Sequence, residues 1–399
     1  MRFEVKIPAL YDEVSGFHEG LAYIRRDDKC GFIDKNGNET LPPIYDMATI
    51  FSEGLALVEI NGKCSFIDKT GKEIIRLLYD VATIFSEGLA LVNRNDQYGI
   101  INRSGQEVTA IMYDDIHFFS EGLVLVKLNT KWGFIDRTGK ELVPIIYDEV
   151  CWYSEGFTNV KRNNNWGFIN KAGKEGIPII YEEAGFFSEG LADVKRYGKW
   201  GYIDKEGKQV IPFIYDGVKV FSEGLASVKR LEKWGYIDKT GKEVIPFIYD
   251  SAKAFSDGLA SVELDGKSGF INKNGDEVIP FSYDSTWRFN DGLACVRLNG
   301  KWGIVDKTGK EIIPTVYDFL QTYDLLKTYD LLQNRCPTFE NEGSFEGLIW
   351  AERDNKHGFF DKTGKEVIPV VYDSVGYLSE GLVDFKLDGK WGFLAKVDD

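Results

Sequence analysis

Apolar and polar residues alternate in short runs along the chain, and the runs are broken by pairs of glycine, asparagine or aspartate. That pattern is the mark of strands joined by tight turns. In "GLASVKR" from Gly224, Ala226 and Val228 recur at every second residue while the position between them varies from copy to copy. A two-residue period belongs to a strand, whose successive side chains leave on opposite faces. A turn follows, "NGK" at Asn61 and Asn299 or "DGK" at Asp265 and Asp388; these pairs tolerate the positive φ of a hairpin turn. The next run, "WGYID" from Trp234, ends in "DKTGK", where Asp238 and Gly241 fit an Asx turn with a left-handed glycine. The third run, "KEVIP" from Lys242, stops at Pro246, which cannot donate to a ladder and suits a strand end or edge. A "YD" segment then leads to the next acid–Gly corner. The prediction is a three-stranded meander, written many times, in an all-β chain.

The period is explicit. Gly20, Gly54, Gly88, Gly122, Gly156, Gly190, Gly224, Gly258 and Gly292 are each separated by 34 residues, and Gly347 and Gly381 continue the series. The step from Gly292 to Gly347 is 55, or 34 plus a 21-residue insertion, which makes eleven units. In the middle run Trp234 and Tyr236 point to one face and Gly235 and Ile237 to the other, so neither face is polar. A sheet apolar on both sides lies between two neighbours, packed ~10 Å away. The indoles Trp132, Trp166, Trp200, Trp234, Trp302 and Trp391 are expected to form the repeated core, with the adjacent glycine opening room for a neighbour's ring.

Tandem 34-residue meanders stacked into an open superhelix, or solenoid, are the leading expectation. The alternative is a closed, β-propeller-like ring. The chain opens in mid-unit with "VKIPALYD" and closes with "KWGFLAK", a phasing that lets the amino-terminal strand complete the last sheet. Eleven units exceed the usual ~4–8 blades, which favours the spiral. In domain terms, residues 1–318 hold the starting strand and nine repeats, 319–340 an insertion, and 341–399 the last two repeats, continuous with the first body.

At "KWGFID" from Lys131, "TGKEVIP" from Thr240 and "FSEGLA" from Phe51, with the recurring "YD", the sequence resembles the bacterial WG-repeat (KWG) proteins. The resemblance covers nearly all of the chain outside the insertion. It implies a β-rich repeat of about this length that mediates binding. Departures occur at the Trp slot, which holds Cys30, Cys64, Tyr98, Ser268 and His357, and at Ser65, which replaces the following glycine.

Charge narrows the partners. The balance of 48 basic and 63 acidic residues gives −15, which repels phosphate backbones and anionic membranes. No nucleic acid and no membrane are expected. The amino terminus lacks the apolar core of a signal peptide, and no apolar run approaches the ~20 residues of a spanning helix, so a cytoplasmic setting is expected. Five cysteines at unrelated spacings imply no disulfide framework, and Cys30 and Cys64 are read as small core residues.

Chemistry is hard to find. His18, His117 and His357 fall in different slots, the "DKTGKE" loops are too short for an EF-hand, and nucleophile, zincin and phosphate-loop motifs are absent. An enzyme is not expected, nor a metal or cofactor. Each unit carries Glu or Asp before the corner glycine and Lys or Arg fifteen positions after it. These rows are read as lateral pairing between repeats rather than a recognition stripe. Residues 317–334, "YDFLQTYDLLKTYDLLQN", break the symmetry, with Phe319, Tyr323, Leu326 and Tyr329 at spacings compatible with a helix that offers anchors to a partner. The resulting expectation is a monomeric, non-enzymatic scaffold that binds a basic protein through an extended acidic surface. The alternative is a glycan- or choline-like ligand binder, since "NGKWGIVD" is similar to the aromatic hairpins of choline- and glucan-binding repeats.

Overall fold

The computed structural model describes residues 2–76, 79–118, 122–322 and 347–397. Its regular elements are all strands, arranged in eleven small antiparallel sheets. The residues fall into two compact bodies. One comprises Met1–Asn129, Ile135–Lys140 and Arg335–Asp399, the other Thr130–Phe134 and Glu141–Asn334.

A sheet of the second body shows the plan. Gly217–Val218, Leu225–Arg230, Lys233–Asp238 and Glu243–Tyr249 lie side by side in chain order. The sheet therefore has four strands where the pattern predicts three. The added one comes from the "YD" segment, with Gly217 paired to Lys229 and Val218 to Val228. Two residues cannot display a period, so this strand leaves no trace in the alternation. It lengthens at Glu183–Ser188, and in the first body at Ser374–Ser379.

The turns follow their residues. Asn299 and Gly300 both have positive φ, 51° and 78°, as a primed hairpin turn requires. Asp238 Oδ1 accepts from Thr240 N, Thr240 Oγ1 and Lys242 N at 2.9, 2.6 and 3.0 Å, and Gly241 has φ 84°, the expected Asx turn.

The glycine after the tryptophan has a different cause from the one anticipated. Trp234 pairs with Tyr249 and Tyr236 with Ile245, so a step of two residues on one strand faces a step of four on its partner. The excess residues, Pro246 to Ile248, arch as a bulge. A Cβ built on Gly235 meets Ile245 O at 2.7 Å and both Phe247 N and Pro246 C at 3.0 Å. The missing side chain admits the backbone of its own sheet, not a neighbour's indole. The one repeat with serine in that slot bears this out. There Ser65 pairs with Arg76 and Phe66 with Ile75 in step.

Repeats seal one another, as the two apolar faces require. Leu225, Tyr236, Ile245 and Tyr249 form one cluster with Phe255, Ala260, Val262 and Ile271 of the following repeat. The rings at its centre stand two residues beyond the tryptophan: Tyr236 packs on Phe255 and Tyr202 on Phe221, each pair with centroids 4.9 Å apart. Tyr236 and Tyr202 are fully buried, and their hydroxyls donate to the Lys253 and Lys219 carbonyls at 2.7 Å. Trp132, Trp166, Trp200, Trp234, Trp302 and Trp391 are half-buried at the margin of these clusters.

In the first body the two ends of the chain share a sheet. Arg2–Tyr11 runs antiparallel to Lys390–Val397, with Arg2 opposite Val397 and Tyr11 opposite Trp391, and Leu382–Leu387 and Ser374–Ser379 complete it. Phe3, Ile7 and Tyr11 are buried there. Lys390 pairs with Asp12, and Ser379 Oγ donates to Phe17 O. This is the closure that the propeller-like alternative calls for. It corrects the leading expectation of an open superhelix, in which the first and last strands have no reason to meet.

Candidate functional site

The acid–Gly corner is a two-residue turn. Ser222 and Leu225 exchange both backbone hydrogen bonds across Glu223 and Gly224, whose φ values are 53° and 86°. Glutamate seldom adopts positive φ, and its side chain shows what the strain accompanies. The Glu223 carboxylate accepts the Gly258 N–H of the next corner at 3.1 Å and meets Lys273 Nζ at 3.0 Å, while Lys273 also donates to Glu223 O. Glu155 takes Gly190 N and Lys205, and Glu189 takes Gly224 N and Lys239. In the first body Glu19 receives Gly54 N and Lys69, and Glu380 receives Gly20 N and Lys35. Burial pushes the Glu223 carboxyl up, but the Lys273 and Gly258 hydrogen bonds outweigh it and hold the group below the usual range. The charged rows are thus spent on joining repeats.

A second carboxylate does similar work. Asp250 pairs with Lys233 of the preceding repeat and accepts the Asp265 N–H of its own hairpin turn at 2.9 Å. Asp46, with Lys29 and Asn61, repeats the arrangement in the first body.

The tryptophan slot is more exposed and carries a second pattern. Each indole has a cation directly across the sheet, as in Lys161 with Trp166, Lys195 with Trp200, Lys229 with Trp234, Arg297 with Trp302 and Lys386 with Trp391. Lys161 Nζ stands 5.6 Å from the Trp166 centroid, and Lys195 and Lys386 each stand 5.8 Å from theirs, within cation–π range. The Trp234 ring has Lys219 at 6.0 Å.

Of the insertion anchors, Phe319 lies in the strand Phe319–Thr322 rather than a helix, packed edge-on against Trp287 and Trp302 at 6.0 and 6.4 Å. Tyr323, Leu326 and Tyr329 fall outside the described residues. Cys30 and Cys295 are buried and Cys64 and Cys151 half-buried, with Cys30, Cys64 and Cys151 as free thiols. Burial pushes the Cys151 thiol up to about 12. His357 stacks on Trp350, and His117 stands 3.5 Å from Asp115. Among the described residues no group of three or more His, Cys, Asp or Glu could hold a metal.

Alternation alone did not flag one surface. Ile180, Ile214, Ile248 and Val316, each just before the tyrosine of a "YD" pair or, at Tyr181, of its "YE" counterpart, are 44–46% exposed on the outer strands of the second body. Val210 and Val244 are exposed on the same strands.

The model of the WG containing repeat matches residues 3–30, 31–64, 65–98, 98–132, 132–166, 166–200, 200–234, 234–267, 269–302, 302–324 and 358–391. The sequence matches none of the curated proteins it was compared with. Among solved structures it is similar to a eukaryotic initiation factor, at 10% identity and a TM-score of 0.40, covering 74% of this chain and 96% of that one. It is also similar to the extracellular domain of the putative one component system BT4673 from B. thetaiotaomicron, at 11% identity and a TM-score of 0.27, covering 98% of this chain and 65% of that one.

Proposed function

Since the chain belongs to the family of WG-containing repeats, we propose that it is a non-enzymatic binding scaffold whose partner is a protein. The observation that carries this reading is the apolar row Ile180, Ile214, Ile248 and Val316, left half-exposed on outer strands one repeat apart except between Ile248 and Val316, where Ser282 interrupts it. Each of these strands also exposes a glutamate or glutamine at its start, Glu175, Gln209, Glu243 and Glu311. A row of aliphatics beside acidic side chains suits a partner that offers both apolar and basic groups, and the overall charge of −15 would steer it in. Prolines in the same strands, Pro178, Pro212, Pro246 and Pro314, guard the sheet edge against plain strand addition. The contact is therefore through side chains.

The free thiols of Cys30, Cys64 and Cys151, among the described residues, support a reducing, cytoplasmic setting. A glycan or choline reading asks for open indole faces, and cations stand over those of Trp166, Trp200, Trp302 and Trp391, so the scaffold reading is preferred. The test is affinity purification from the native host, with the wild-type chain compared with Ile180→Ser, Ile214→Ser, Ile248→Ser and Val316→Ser combined. The reading expects one stoichiometric partner that the folded variant loses. A variant that retains every partner, or a wild-type chain that binds choline or cell-wall glycan in a calorimeter, would overturn it.

A further inference from the structure

Within the second body one repeat departs from the tryptophan–cation rule at both positions together; in the first body Glu59 faces Cys64, Asn93 faces Tyr98 and Glu352 faces His357. Across the sheet from Ser268, where the other repeats of the second body place an indole, stands Glu263, where they place Lys or Arg. The exchange swaps a ring for a hydroxymethyl and a cation for an anion. It leaves a cavity of about 80 Å³, several times the ~10–15 Å³ that one water needs.

The walls of this cavity are polar. Ser251, Lys253, Glu263, Ser268, Ser285 and Thr286 line it. Ser261 Oγ and Thr286 Oγ1 satisfy each other at 2.7 Å, and Lys253 Nζ donates to Thr286 O at 2.6 Å. That leaves the ammonium with donors to spare. The hydroxyls of Ser251, Ser268 and Ser285 make no hydrogen bond among the described residues, and Glu263 makes no ion pair. Asp284, also on the wall, is engaged by Lys267 at 2.8 Å and by the Gly300 N–H.

Lys253 and Glu263 have opposite sign and different heights. Ser251 and Glu263 occupy one rung of the sheet, and Lys253 lies just past the end of the strand Ser251–Ala252, two residues further along the chain, where its N–H bonds Ser261 O. Two residues of strand advance ~7 Å. That span suits a molecule with a carboxylate and an ammonium on one carbon, each making a hydrogen bond. A simple cation meets Lys253, and a simple anion meets Glu263 and Asp284, so neither satisfies the walls. Burial and the nearby Arg288 lower the Lys253 ammonium below its usual value, Glu263 offsets them in part, and a ligand carboxylate beside it would offset them further.

We propose that this cavity binds a small zwitterion of the α-amino-acid class, its carboxylate on Lys253 and the free serine hydroxyls and its ammonium on Glu263. The site is separate from the apolar row and stands or falls independently of the scaffold reading.

The experiment is calorimetric titration of the full chain with glycine and with L-serine, and with acetate and methylamine as half-ligands. Saturable binding with Kd between about 10 μM and 1 mM is expected for a zwitterion, the range open to so small a ligand. Each half-ligand should bind at least tenfold more weakly. The double variant Ser268→Trp with Glu263→Lys, which restores the pair found in the other repeats, should lose binding at least tenfold while melting no lower than wild type. Lys253→Met should lose it as well. Absence of saturable binding below about 10 mM, acetate or methylamine binding as tightly as glycine, or an unimpaired double variant each refutes the proposal.

Discussion

Gly235→Ala tests the cause assigned to the glycine of the tryptophan–glycine pair. The added Cβ would lie 2.7 Å from Ile245 O and 3.0 Å from Phe247 N and Pro246 C, where ordinary contact begins near 3.4 Å. All three atoms belong to the backbone of the arch, so no side chain can swing away. The arch must retreat by roughly half an ångström, which frays the pairing of Tyr236 with Ile245. Overpacking of this kind costs ~1–3 kcal/mol.

Gly217→Ala in the same sheet is the control. Its Cβ meets Lys229 Cβ and Trp234 Cη2 at 3.5 Å, ordinary contact, and its φ is not in the left-handed region. Both variants gain the same ~0.4–1 kcal/mol from a stiffer unfolded chain, so their difference isolates the clash. Differential scanning calorimetry reads it at ~2–4 °C per kcal/mol for a cooperative body of 150–250 residues. The midpoints should lie at least about 2 °C apart, with Gly235→Ala the lower. Equal midpoints would show that the arch is not what demands the glycine.

Tyr236→Phe strands the Lys253 carbonyl, which should lower stability by ~1–3 kcal/mol in urea denaturation; a neutral result would mean that the carbonyl finds another donor. Asp193 is buried, and burial raises its carboxyl to about 6. The folded chain therefore holds that proton more tightly than the unfolded one. This stabilisation is complete below the unfolded value near 4 and is lost as pH rises through about 6. Asp193→Asn should flatten the stability profile between pH 4 and 7, and an unchanged slope counts against the burial argument. Glu223 is opposite in sign: its carboxyl is lowered, so its contribution is present above the unfolded value and disappears as pH falls through the folded one. Glu223→Ala should cost under ~1 kcal/mol for this exposed pair, and a loss well above that would show a corner that bears more load than its ion pair. Removing residues 2–11 uncovers the sheet against which Phe3, Ile7 and Tyr11 are buried, at ~1.5–3 kcal/mol each, and should make Lys390–Val397 sensitive to limited proteolysis; persistent resistance would show that the strand is dispensable.

Much of this was legible because the physics is local. Alternation around Ala226 and Val228 marks a strand, and Asp238 with Gly241 marks a turn, without reference to anything distant. The role of the acidic corners was also legible, since rows of equal charge at equal spacing need partners. What escaped depends on register. Adjacency in sequence tied Gly235 to Trp234, but the group that crowds it is Ile245 O, placed there by a bulge that a residue pattern does not reveal. Bulk made tryptophan the expected core, yet Tyr236 is the ring that reaches the next sheet, while the indole sits nearer the hairpin turn. The strand of Gly217 and Val218 was too short to announce itself. The cavity beside Ser268 left a faint signal, the joint change at 263 and 268, which acquires meaning only once those positions are known to face each other.

The pairing of Arg2 with Val397 carries one more implication. A sheet that takes one strand from Arg2–Tyr11 and its neighbour from Lys390–Val397 does not depend on which of the two is made first. A few linking residues could fuse the ends of the chain, and fresh termini could be cut at the exposed turn of Asn299 and Gly300 with every sheet still able to form.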